Sequence, residues 1–392
     1  MIKKILLTTL TTVIGLILLT LTILYLYQNH WAKKRASYYP YPYQWVETLR
    51  KAGEDSILED RTNILVIGGG QAFYLKEEIH LLEKEINSSL SKKIALTFLA
   101  HPGNGLHRTL QQIKELNYWP DVIVYLGGSN EFDEKRVILN EIKTIEENQK
   151  LFRKNSWYRT ILPYVPLLSK ILYKDYKLFP LWREPQNNNN SEQNQNRDDK
   201  ITLRLHALLL DTFQQEYLEL ISLIRENKTH FISILPAIDW QRPIGRVCSF
   251  ANNEDLADAQ AIIFRLMENG EYKSAYREVQ LLLEGPGQQN ALSHFLKAEL
   301  ELIISNSLIE ALPSYQMANV LDCAPQGTYF PFYQKLKEMN IEHDIETIDF
   351  NETVTSQLGR GKLFTKKDHP HPLFYQELAL QLVRKIKENL GL

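Results

Sequence analysis

Four short stretches hold the residues that could do chemistry. "DHPHP", Asp368 to Pro372, combines a carboxylate with two imidazoles, His369 and His371. "GGSNEF", Gly127 to Phe132, offers the carboxamide of Asn130. "HPGNGLH", His101 to His107, offers two glycines, Gly103 and Gly105, between histidines. "GGGQAF", Gly68 to Phe73, is a strand-to-helix turn of the kind on which α/β enzymes raise a catalytic side chain. Yet Gly70, at the tip of that turn, carries no side chain at all. Imidazole and carboxylate suit proton transfer, and a carboxamide suits hydrogen bonding to developing charge. Each stretch also has a plainer reading taken singly. Glycine turns follow strands in many α/β proteins, Asn130 can cap a helix, and three ligands within four residues surround a metal ion poorly.

The elements that must position these residues read as strand and helix in alternation. Ile64–Ile67, "IALTFLA" (Ile94 to Ala100), "DVIVYLGG" (Asp121 to Gly128), "HFISILPAIDW" (His230 to Trp240) and "DIETIDF" (Asp344 to Phe350) are short apolar runs bounded by turn signals. Leu106, Leu110, Ile113 and Leu116 fall on one face of a helix between the second and third runs. A long helix spans about 203–225, and "PLFYQELALQLVRKIKENL" (Pro372 to Leu390) is a final amphipathic helix with proline at its first position. This order predicts a three-layer α/β/α arrangement with a parallel sheet covered on both faces. Each polar stretch then lies where a strand ends, which is where open α/β sheets place their sites.

Between the fourth and fifth strands the pattern turns purely helical, over about 255–339. "NGEYKSAYREVQLLLEGPG" (Asn269 to Gly287) and "NSLIEALPSYQMANVLDCAP" (Asn306 to Pro325) read as two copies of one unit. Ala275 and Ala311 take equivalent places in them, close to the tetratricopeptide period of about 34 residues. Two units are fewer than an independent solenoid needs, so they are expected to rest on the main domain. "NNNNSEQNQNRDDK", Asn187 to Lys200, reads as a polar surface loop.

The N-terminus carries no charge from Ile5 to Tyr27, a run long enough to cross a bilayer core. It ends in Tyr25, Tyr27 and Trp31, aromatic residues suited to a membrane interface. An uncleaved single-pass anchor through residues 5–27 is therefore expected, its basic flanks nearly balanced. The expected division is an anchor with flanks at 1–36, a linker at 37–60 and a first α/β part at 61–250. A helical insertion at 251–340 and a closing α/β part at 341–392 complete it. A net charge of −2 over 392 residues implies no basic face, and no nucleic-acid partner is expected. Neither cofactor nor metal is expected. Cys248 and Cys323 stand far apart, and their spacing leaves a disulfide open.

Taken together and in this order, the blocks resemble the SGNH, or GDSL, hydrolase family of serine esterases. "GGSNEF" is similar to the family's Gly-x-Asn block, and "DHPHP" to its Asp-x-x-His block. The resemblance covers roughly residues 64–390, and the subgroup with helical repeats ahead of Asp-x-x-His is the nearest in kind. It implies a flavodoxin-like SGNH fold acting on O-acyl esters of glycans or lipids, with the globular part outside the cytoplasm. It further implies Asn130 and Gly105 (Gly103 being the alternative) as oxyanion donors, Asp368 as acid and His371 as base.

In that layout Asp368 holds one nitrogen of His371 so that the other can accept the nucleophile's proton. Each oxyanion donor is worth about 2.7–4 kcal/mol in mutational tests on other enzymes. The family's serine, however, is Gly70 here. Losing a serine nucleophile costs about 2 × 10⁶ in kcat elsewhere, and neither the Gln71 amide nor Ser129 on the Asn130 loop is a good replacement. Three readings stand: a pseudoenzyme that keeps the pocket for binding, an enzyme using water activated by His371, or a deliberate serine-to-glycine variant. A binding protein would engage a glycan, an acylated substrate or a protein partner through its pocket or its helical repeats.

Overall fold

The computed structural model describes residues 12–16, 18–20, 22, 61–76, 78–79, 93–114, 116, 119–134, 199–248, 251, 254–358, 361–366 and 369–390. The chain divides into two compact units, Met1–Lys51 with Asn140–Glu184, and Ala52–Leu139 with Pro185–Leu392. In the first unit the described residues, 12–16, 18–20 and 22, are helical and exposed. There Thr20 and Thr22 return their hydroxyls to the carbonyls of Leu16 and Leu18. The rest of the apolar 5–27 run, the 37–60 linker and residues 187–198 of the polar tract lie outside the described residues. Among the described residues no helix is long and apolar enough to cross a membrane.

The second unit is built on a five-stranded sheet of β1 (Arg61–Gly68), β2 (Lys93–Ala100), β3 (Val122–Leu126), β4 (His230–Leu235) and β5 (Glu346–Asp349). The order is β2-β1-β3-β4-β5 and every pair is parallel. This is the doubly wound order whose winding reverses beside β1, leaving a crevice at the carboxyl ends of β1 and β3. Register makes that crevice specific. Gly68 is level with Ala100 on β2 and with Leu126 on β3, so three of the four chemical stretches leave the sheet side by side.

The strands are apolar on both faces because both faces are covered. Ile64, Val66, Val122, Val124, Ile232, Ile234 and Ile348 point to one face. They bury against helix α1 (70–79, residue 77 aside), α10 (Phe350–Thr355) and α11 (Pro372–Leu390). Alternate residues face α2 (Leu106–Lys114) and, beyond the short α3 (Glu131–Glu134), α4 (Asp199–Glu226) on the other side. There Tyr125 meets Tyr217 at 5.6 Å between ring centroids. The Tyr217 hydroxyl donates to Asn340 Oδ1 at 2.6 Å, and its burial raises its pKa. Leu106, Leu110 and Ile113 are fully buried, as their spacing requires, while Leu116 lies just past the helix end. Asp199 and Lys200, expected in the polar loop, instead form the first residues of α4.

Between β4 and β5 run α5 (Glu254–Glu268), α6 (Tyr272–Leu283), α7 (Ala291–Ser305), α8 (Leu308–Val320) and α9 (Phe330–Glu342). The first four form two successive helical hairpins. Ala275 and Ala311 are each the fourth residue of a hairpin's second helix, and both are fully buried. Small residues at that place let the paired helices approach closely. The hairpins share a core of Leu256, Ile263, Val279, Leu282, Leu296 and Leu300.

Cys248 and Cys323 form a disulfide that ties the loop after β4 to the end of α8. Asp322 strengthens the same junction, accepting from the backbone N–H groups of Gly245, Arg246 and Ala324 at 2.7–3.0 Å. A small antiparallel pair, β6 (Phe364–Lys366) with β7 (His369–Pro370), holds the last polar stretch. Its sequence gives no strand signal, since proline occupies one of the two β7 positions.

Candidate active site

The first turn is glycine-rich because three loops converge on it. Gly68 has φ +138°, a conformation L side chains rarely adopt. Gly69 is excluded from carrying a side chain by its neighbours. A Cβ there would collide with the Asn130 carboxamide and stand 2.7 Å from the Asn104 carbonyl oxygen. Gly70 differs from both. A Cβ built on it meets nothing nearer than Asn130 Nδ2, at 3.8 Å, which is ordinary contact. The tip of the turn therefore has room for a side chain, and that side chain would face the amide of Asn130.

Asn130 is buried, and its Nδ2 donates to Ser129 Oγ at 3.3 Å. Ser129 is thereby committed beneath the amide. The neighbouring Glu131, only 1% exposed, accepts the Leu106 N–H at 3.0 and 3.2 Å through its two oxygens. A carboxylate at the positive end of α2 is favourable electrostatically, and it locks the Gly105 loop to the Asn130 loop. Gly105 itself caps α2 from the other side, its carbonyl accepting from the N–H and hydroxyl of Thr109. Among the described residues the Gly105 N–H has no partner. Gly103, the alternative donor, has a positive φ of +83° in open space.

Gln71 has a role the sequence does not announce. Fully buried, it accepts the Ala237 N–H and donates to the Ala237 carbonyl, both at 2.9 Å. One amide thus pins the first turn to the end of β4. Glu131 and Gln71 both act through backbone groups far away in sequence. The only signal available in advance is their polarity next to buried strands.

The fourth stretch reaches the same helix that Gly70 opens. The His369 imidazole meets the ring of Tyr74 edge-on, and Tyr74 lies one turn after Gly70. Gln376 of α11 donates to Glu78 of α1 at 3.1 Å. His371 immediately precedes α11; it is half-buried, and its backbone N–H bonds to the Leu363 carbonyl at 2.8 Å. Its Nδ1 accepts the Leu373 N–H at 3.4 Å, a long bond. Proton relay to a hydroxyl needs the tautomer with Nδ1–H turned to a carboxylate. Asp368, expected to supply that carboxylate, lies outside the described residues.

Two more histidines flank the α4 side. His107 Nδ1 and Glu216 Oε1 form a buried 2.6 Å pair between α2 and α4. His206 is buried against Phe132, with ring centroids 4.7 Å apart, and against Tyr329. Burial, with the Arg246 charge nearby, lowers His206 to a pKa of about 4, so it is neutral near pH 7. A cleft opens elsewhere, between the loop after β4 and α7 and α8, where Arg242, Phe295 and Asp322 line it. It is remote in role from the glycine turn, and no residue singled out for chemistry lines it.

No family model matches the sequence, and no curated protein matches it. Among solved structures, the chain is similar to an acetyl xylan esterase, AlAXEase, at TM-score 0.36 and 9% identity. That likeness covers 83% of this chain and 99% of the other. It is also similar to a member of the lipolytic protein G-D-S-L family from Veillonella parvula DSM 2008, at TM-score 0.33 and 11% identity. Here 82% of this chain and 96% of that one are covered.

Proposed function

We propose that this chain is a membrane-anchored homologue of the SGNH/GDSL ester hydrolases and acyl transferases. In this reading its pocket is shaped for O-acyl esters of glycans or lipids, and Gly70 impairs catalysis. The observation that carries it is the 3.8 Å between Asn130 Nδ2 and the Cβ position on Gly70. A serine there would stand beside an oxyanion donor without strain. An ester carbonyl would accept from Asn130 Nδ2 and the Gly105 N–H, His371 would take the proton, and Asp368 would orient the imidazole. The test is hydrolysis of p-nitrophenyl acetate by the native chain and by Gly70→Ser. Near-background turnover that rises in the variant supports the reading, and a folded but inert variant removes it.

The second reading is a non-catalytic binding or scaffold protein, and Gly70 itself favours it. The oxyanion groups then hold an acyl group, and the two hairpins of 254–320 dock a partner protein in the manner of tetratricopeptide repeats. Retained binding after deletion of 255–339 would count against a role for the hairpins. Anchoring through residues 5–27 is supported by the uncharged run, and placing the globular part outside the cytoplasm rests on the sequence resemblance to the SGNH family. The Cys248–Cys323 disulfide suits an oxidising compartment.

A further inference from the structure

The loop between β2 and α2 contains a second carboxamide that the reading above leaves unused. Asn104 is only 1% exposed. Its backbone is held in place, with its N–H donating to the His101 carbonyl at 3.1 Å. Its own carbonyl oxygen lies 2.7 Å from the Cβ position on Gly69. Asn104 and Asn130 therefore flank the glycine turn from the strands on either side of β1. Among the described residues, however, the Asn104 side chain has no hydrogen-bond partner at either Nδ2 or Oδ1.

Proteins rarely bury a carboxamide with both ends unpaired, because the desolvation is uncompensated. Gln112 shares the condition, but it lies in the body of α2, two turns beyond the strand ends. Asn104 sits in the loop touching Gly69, next to the oxyanion glycine of the proposed site. A carboxamide presents a donor and an acceptor side by side. A hydroxyl answers both at once, donating and accepting through one oxygen. A fatty acyl chain has nothing to offer it.

We infer that Asn104 is a specificity-determining residue that binds a free hydroxyl beside the acyl ester, selecting acylated sugars over acylated lipids. This rests on the ester-pocket reading and narrows its substrate class. A residue kept for a ligand at the expense of the fold has a signature that a structural residue lacks. Its removal weakens binding without lowering stability.

The experiment uses the full chain and two probes, 6-O-acetylglucose and ethyl acetate, with binding followed by ligand-observed NMR. Asn104→Ala and the bulkier Asn104→Leu are compared with the native protein. The ratio of 6-O-acetylglucose affinity to ethyl acetate affinity should fall about tenfold in both variants, while the melting temperature stays level or rises. An unchanged ratio, or native protein that fails to bind the sugar ester, overturns the inference. So does a drop of several degrees in the melting temperature of both variants, since that marks a structural amide. Turnover of p-nitrophenyl acetate by Gly70→Ser reports separately on the hydrolase reading. An inert Gly70→Ser protein with the expected Asn104 effect retires the hydrolysis and keeps the sugar site.

Discussion

Asn130 Nδ2 stands 3.8 Å from the point where a side chain on Gly70 would begin, and it overlaps the point where one on Gly69 would begin. Two adjacent glycines thus have opposite tolerances, set by the Asn130 carboxamide and, at Gly69, by the Asn104 carbonyl as well. Gly70→Ser should fold with a melting temperature close to native. Gly69→Ala should cost about 2–3 kcal/mol, because Asn130 and the Asn104 carbonyl must both give way. Thermal denaturation of the two variants checks this; equal losses would mean that the three loops do not converge as described.

Gln71 should matter more for stability than for chemistry. Gln71→Ala leaves the Ala237 N–H and carbonyl without their buried partner, with an expected loss of about 2–4 kcal/mol. Urea unfolding measures it. A loss below 0.5 kcal/mol, roughly the scatter of ordinary surface substitutions, would contradict the assignment.

The disulfide closes a sequence separation of 75 residues. In the chain-entropy picture such a loop contributes roughly 4 kcal/mol. The double variant Cys248→Ser/Cys323→Ser should unfold at a correspondingly lower urea midpoint, and the native protein should shift likewise under reductant. Identical midpoints with and without reductant would contradict a formed bridge.

Stability should also fall on mild acidification, through His206. Its folded pKa of about 4 lies below the ordinary 6.5, so the unfolded chain binds the proton more readily in that range. Stability therefore rises with pH between about 4 and 6.5 and is lost as pH falls through that window, by about 3 kcal/mol in total. Asp322, whose burial pushes its carboxyl up, acts in the opposite sense at the acid end. Comparing native protein with His206→Phe isolates the imidazole. The slope between pH 4 and 6.5 should flatten in the variant, and an unchanged slope would assign the acid sensitivity elsewhere.

Much of this fold is legible in the sequence, and the reason is periodicity. The buried runs of β1, β3 and β4 are continuous because both faces of the sheet are covered, and α2 shows its apolar stripe directly. Strand order, by contrast, is set by packing. Nothing local makes β1 the neighbour of both β2 and β3. Of the polar stretches, the glycine turn, the Asn104 loop and Asn130 meet in space, as their places at the ends of β1, β2 and β3 suggest. What escaped is long-range polar wiring. Gln71 to Ala237 and Glu131 to Leu106 each join residues that no local pattern relates, while the Cys248–Cys323 pairing that the spacing leaves open is formed. The β6–β7 pair was hidden by its brevity and by Pro370.

The proposed function makes the glycine turn an ester site without its attacking hydroxyl. It is tested most directly by the initial rate of p-nitrophenyl acetate hydrolysis in Gly70→Ser and in Gly70→Ser/Asn130→Ala. The single variant should gain at least about a hundredfold over native protein, and removing the Asn130 donor should return the rate most of the way to that background, a donor of this kind being worth about 10²–10³. A folded Gly70→Ser protein as inert as the native chain, or one indifferent to Asn130, would contradict it.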